Sequence, residues 1–157
     1  MTSLEYIYKL FEVSANQLGL PYIKTTPTSL QTWAVKQEPP FIACVGVGPE
    51  DIETNDVNNN ILSYPCTFVI TSSAIKDPTN DEKIQLEVES DKLLKRFLWF
   101  VKRNEETTVT DISAEELFRG SSFNGVGRGL SFTIEIADKN DYCDDWCNEN
   151  TKVINCG

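Results

Sequence analysis

Three cysteines stand near the carboxyl end of this chain, Cys143, Cys147 and Cys156, within DYCDDWCNENTKVINC. Thiolates are soft ligands, so with Asp144 or Asp145 as a fourth donor they could hold zinc. The spacing argues against this, because structural zinc sites join two close pairs of ligands and this segment has only one such pair. A calcium loop starting at Asp138 would place Asn140 and Glu149 suitably, yet Cys143 falls where the sharp turn needs glycine. The other two cysteines, Cys44 and Cys66, lie in apolar extended stretches, where a small buried thiol is the usual role. Nothing signals an oxidising compartment, so reduced thiols are favoured over a disulfide. No metal or other cofactor is expected.

The chain has no histidine. That removes the commonest general base near neutral pH and every Ser-His or Cys-His nucleophile arrangement. Paired carboxylates could still do acid–base work, but the acidic residues fall on helix surfaces and in loops without a recognisable spacing. GVGRG, residues 125–129, has the glycines of a phosphate-cradling loop but leads into a strand and lacks the Lys-Ser/Thr ending. It reads as a turn or bulge. These absences point away from an enzyme.

Charge narrows the partners. With 24 acidic and 14 basic side chains the formal net charge is -10, which repels phosphate backbones unless a local basic cluster intervenes. The best cluster, Lys92, Lys95, Arg96, Lys102 and Arg103, sits in a helical pattern with Glu87, Glu89 and Asp91 and reads as a solvated helix face. No apolar run is long enough for a membrane span, and MTSLEYIYK lacks the layout of a signal peptide. A chain that is cytoplasmic when made, without membrane contact, is the expectation.

The elements that would position these residues follow from periodicity. Leu4, Ile7, Tyr8, Phe11, Ala15 and Leu18 recur at helical spacing, Thr2 with Glu5 forms a capping box, and Gly19 and Pro21 end the pattern, predicting a helix over 3–18. An irregular connection to Pro39 and Pro40 follows, with Trp33 as its anchor to the core. FIACVGVG (41–48) and ILSYPCTFVITSSA (61–74) read as an antiparallel strand pair joined by a long polar loop, Pro65 marking an edge or a bulge. Thr79 and Glu82 cap a second helix over 80–104, with Leu86, Leu93, Leu94, Phe97, Leu98 and Val101 on one face. At about 40 Å it would cross a whole sheet. TTVTDIS and the stretch around EELFRG read as short extended segments. In the last strand Leu130, Phe132, Ile134 and Ile136 alternate with Ser131, Thr133 and Glu135, so one face packs and the other is wet.

These elements predict a two-layer α+β fold, a mainly antiparallel sheet packed by one long helix with an amino-terminal helix beside it. All 157 residues form one domain in this reading, a core of about 1–137 and an acidic, cysteine-bearing arm over 138–157. With no reactive constellation left, binding or assembly becomes the larger hypothesis. The candidate contact residues are Tyr142 and Trp146 in the arm, Arg128 in the last strand, and Asp51 and Asn58 in the long polar loop. The alternative for Trp146 is that it tucks back onto the domain.

The order of elements, closing on GRGLSFTIEIADKNDYC, resembles the tail terminator, or tail completion, proteins of tailed bacteriophages, and more loosely the neck proteins that join head to tail. The likeness covers most of the chain as architecture and about residues 120–143 as sequence. It implies a non-enzymatic virion subunit in a homo-oligomeric ring, a hexamer in that family, that caps the tail tube and presents a surface to the head–tail connector. DNA would pass without sequence-specific binding. The tail after residue 143, with Cys143, Cys147 and Cys156, departs from that family picture; a small metal-binding module or another connector protein are the alternatives.

Overall fold

The computed structural model describes residues 1–24, 40–48, 51–54, 60–119, 126–138, 146–147 and 152–153. Helix α1 (Ser3–Gln17) opens on the Thr2 capping box, with Thr2 Oγ1 accepting the Glu5 N–H at 3.3 Å and Glu5 Oε2 accepting the Thr2 N–H at 2.6 Å. It ends in a left-handed Gly19 (φ 68°), whose N–H donates to Asn16 O at 3.0 Å while the Leu20 N–H reaches Ala15 O at 3.4 Å. The buried residues are Ser3, Tyr6, Ile7, Leu10, Phe11, Val13, Ser14 and Ala15; Ile7, Phe11 and Ala15 are as expected, but Leu4 is exposed, and the buried face is turned by about one residue from the apolar count. The serines explain the turn. Ser14 Oγ donates to Leu10 O at 2.8 Å and Ser3 Oγ to Ala137 O at 3.1 Å, so both hydroxyls enter the interior satisfied.

The main sheet runs β1 (Tyr22–Lys24), β2 (Ile42–Val47), β4 (Asn60–Thr71), β6 (Val126–Ala137) and β5 (Thr107–Arg119), with β3 (Asp51–Thr54) beside β4. Every pairing is antiparallel except β1 with β2. A separate two-stranded ladder joins β7 (Trp146–Cys147) and β8 (Lys152–Val153). Helix α2 (Asn80–Lys102) opens on the Thr79–Glu82 capping box and buries Leu86, Ser90, Leu94, Phe97 and Val101. Both helices lie on one face of the sheet, in a two-layer α+β arrangement. Phe68 of β4 is the hub of that layer. Its ring meets Phe11 of α1 edge-on at 4.8 Å, Phe97 of α2 at 5.0 Å and stacks on Phe132 of β6 at 5.4 Å.

Several expectations change. The connection after α1 contains β1, and the polar loop contains β3; neither is long enough to show a period in sequence. Trp33 lies outside the described residues. Pro65 sits in the central strand rather than at an edge. Its carbonyl accepts the Gly48 N–H at 2.6 Å on the side where β2 ends and β3 begins, so its missing N–H falls in the gap between two partners. The bulge on that side is in β2, between Cys44 and Gly46.

TTVTDIS and EELFRG form one 13-residue strand, β5, bent by two register shifts, between Thr110 and Ser113 and between Glu116 and Phe118. Gly127 and Gly129, expected in a turn or bulge, are regular members of β6 paired to Thr71 and Val69, and the nearby bulge belongs to β5 instead. The far face of the sheet is not uniformly wet either. Over β2 and β4 it carries a second apolar cluster of Phe41, Ala43 and Val69, while Ser131, Thr133 and Glu135 of β6 are half-buried.

Candidate functional site

The β5 edge of the sheet is open among the described residues, and one asparagine sets where it starts. Asn104, buried at the end of α2, donates from Nδ2 to Tyr6 Oη at 2.8 Å, and its Oδ1 accepts the Glu106 N–H at 2.9 Å and the Thr107 hydroxyl at 3.4 Å. This fixes the reversal from helix to strand and launches β5 with Thr107 opposite Ile136. The run TTVT then favours an extended chain through its β-branched residues. Asp111 adopts a left-handed backbone (φ 53°) at the first bulge, a conformation Asp tolerates better than most residues.

Only β6 pairs with β5 among the described residues, so its outer edge offers a long row of backbone donors and acceptors. Side chains 111–115 are all exposed, which leaves both faces of the strand open there as well. Ile112 is 44% exposed. The strand through Phe118 holds neither Lys nor Pro, the residues that commonly protect a free edge, and its charges are Asp111, Glu115 and Glu116.

A second exposed surface is the outer face of α2. Polar contacts clamp the helix to the sheet: Arg128 Nε donates to Ser90 Oγ at 3.0 Å, and Glu89 Oε1 accepts the Ser73 hydroxyl at 2.6 Å and the Ser73 N–H at 3.2 Å. Away from the clamp, Ile84 is 59%, Val88 46% and Trp99 53% exposed. The Arg103 guanidinium lies 4.4 Å from the Trp99 ring centroid, a cation–π contact.

The sequence-derived candidates among the described residues lie on three different strands. Arg128 is taken up within the subunit: besides Ser90, its guanidinium lies 4.0 Å from Asp91, and the side chain is 23% exposed. Asp51 belongs to β3, opposite Ser63. Trp146 belongs to β7, opposite Val153, and Cys147 is opposite Lys152. Asn58, Tyr142, Cys143 and Cys156 lie outside the described residues. Among the described residues no group of three or more Cys, Asp or Glu could hold a metal ion.

The core thiols offer no nucleophile either. Burial pushes Cys44 up to about 11 and raises Cys66 beyond it, so the reactive thiolate is disfavoured in both. Burial likewise raises Tyr22, and the neighbouring Cys44 thiol adds to the shift. No described helix is long and apolar enough to cross a membrane. Sequence reasoning missed the outer stripe of α2 because the stronger core stripe of the same helix masks it. The four-residue step from Ile84 to Val88, resumed at Trp99 on the same side, was the available signal. The chain matches no known family, and no characterised protein matches it.

Proposed function

We propose that this chain is a structural assembly subunit rather than an enzyme, a ring-forming virion protein of the tail terminator type that caps a phage tail tube and meets the head–tail connector. The observation that carries the reading is the 13-residue β5 strand with its outer edge unpaired among the described residues and its side chains exposed over 111–115. Such an edge is a template for pairing with another chain. Its acidic residues disfavour pairing with the same edge of a second copy, since like charges would face each other. The opposite edge, β1, is short and ends in Lys24. Two chemically different edges favour a heterologous contact, the kind that closes rings.

The net charge of -10 supports a lumen from which DNA is repelled, so that it passes without binding. Light scattering coupled to size-exclusion chromatography, with negative-stain microscopy, tests the reading on the full chain. Rings are expected for the native protein, alone or on purified tail tubes, and Ile112→Lys should prevent them while leaving the circular dichroism spectrum unchanged. A chain that stays monomeric at high concentration and ignores tail tubes refutes the proposal.

A further inference from the structure

Helix α2 is divided by charge along its length, with Glu89 of the acidic half turned to Ser73 on the sheet side. The half from Asn80 to Asp91 carries Asp81, Glu82, Glu87, Glu89 and Asp91 against a single Lys83, while the stretch from Lys92 to Arg103 carries Lys92, Lys95, Arg96, Lys102 and Arg103 and no acid. Apolar groups stand in both halves, Ile84 and Val88 in the acidic one and Trp99 in the basic one. At about 100° per residue Trp99 points roughly 180° from the centre of the buried set Leu86, Ser90, Leu94, Phe97 and Val101. Ile84, Val88, Lys92, Lys95, Trp99 and Arg103 therefore form one outward stripe about 28 Å long.

We propose that this stripe is a two-fold contact with the α2 helix of a second copy, the two helices lying antiparallel. A helix acidic in one half and basic in the other is complementary to its own reverse, and an isologous contact requires such self-complementarity. A two-fold axis between Asp91 and Lys92 sets Asp81 opposite Lys102, Ile84 opposite Trp99, Val88 opposite Lys95, and Asp91 opposite Lys92. Three of these four pairings are charge-opposed or apolar; in the fourth the Lys95 stem lies along Val88 while its ammonium keeps the 2.8 Å contact to Asp91 of its own helix. Lys92, Arg96 and Lys102 make no ion pair among the described residues, so the basic half has charge left to offer.

A groove of about 670 Å³ is lined by Ile84, Val88 and Leu93 together with the polar Glu89, Lys92, Lys95 and Arg96. In this register it receives the indole of Trp99 from the second copy, an aromatic anchor in a groove of mixed apolar and polar lining. The stripe is narrow, about 10 Å across, which places the contact in the small, weak class with a dissociation constant of roughly micromolar order. The surface is separate from the β5 edge, so the contact stands or falls independently of ring formation.

Sedimentation velocity on the full chain in reducing buffer, up to about 0.5 mM, gives the test. The native protein should dimerise, more weakly at high salt. Asp81→Lys and Lys102→Glu should each raise the dissociation constant by about tenfold or more, and the double variant should restore it to within about threefold of native. Trp99→Ala should weaken the dimer by about 30-fold or more without lowering the melting temperature. Ile112→Lys, which removes the edge contact, should leave this dimer intact, whereas Trp99→Ala should leave rings intact. A native chain with no dimer, or a double variant that stays monomeric, overturns the two-fold contact and leaves the stripe to a different protein. Loss of dimer and ring together in Ile112→Lys overturns it equally.

Discussion

Truncating Phe68 is the sharpest test of the fold, because one ring joins both helices to the sheet. Its side chain is fully buried and meets Phe11, Phe97 and Phe132 with centroids 4.8, 5.0 and 5.4 Å away. Phe68→Ala forfeits the transfer free energy of the ring and leaves a cavity between two layers that cannot collapse independently, about 3–5 kcal/mol. Each aromatic pair contributes about 0.5–1.5 kcal/mol beyond area, which puts this site at the upper end, near 4–5 kcal/mol. For a chain of this length that lowers the melting temperature by about 8–20 °C, and in urea it shifts the midpoint with the slope unchanged. The control is the next residue. Thr67 is exposed on the opposite face of β4, so Thr67→Ala should stay within about 0.5 kcal/mol of native. A Phe68→Ala shift under about 3 °C, or an equal loss from Thr67→Ala, would place β4 one residue out of register and refute the packing described above.

Two further outcomes follow from buried polar groups. Asn104→Ala should cost about 1–3 kcal/mol in urea unfolding, since it removes the hydrogen bonds to the Glu106 N–H, the Thr107 hydroxyl and the Tyr6 hydroxyl, and combination with Tyr6→Phe should give less than the sum of the single losses; strict additivity would show that the two side chains are not partners. Stability should also be alkali-sensitive. Because burial raises Cys44 from its ordinary 9.0 to about 11, the native state holds that proton where the unfolded chain has released it. The stabilisation is complete below pH 9 and is lost as pH climbs toward 11, with Cys66 and Tyr22, both raised by burial, extending the loss above that window. A melting temperature that stays flat from pH 7 to about 11 in reductant would count against buried neutral thiols.

Both helices were legible in the residues because each carries two independent signals, a capping box and a long apolar period: Thr2 with Glu5, and Thr79 with Glu82. The alternation of Leu130, Phe132, Ile134 and Ile136 likewise placed β6 and its packed face, because a half-buried strand writes its period directly into sequence. Strands without such a period had to wait for their partners. β1 and β3 are three and four residues long and gain their backbone bonds only from β2 and β4. Pro65 could be placed in a central strand only once β2 was seen to hand over to β3 opposite it.

The candidate site divides the same way. Composition alone determined that no histidine is present and that the surface is strongly acidic, facts that no fold can change. Only the tertiary structure decided that Arg128 turns inward to Ser90, that β5 is one continuous edge launched by Asn104, and that Ile84, Val88 and Trp99 point away from everything their helix packs against. A helix has two faces and a strand two edges, and which of them meets solvent is fixed by the neighbours that occupy the other.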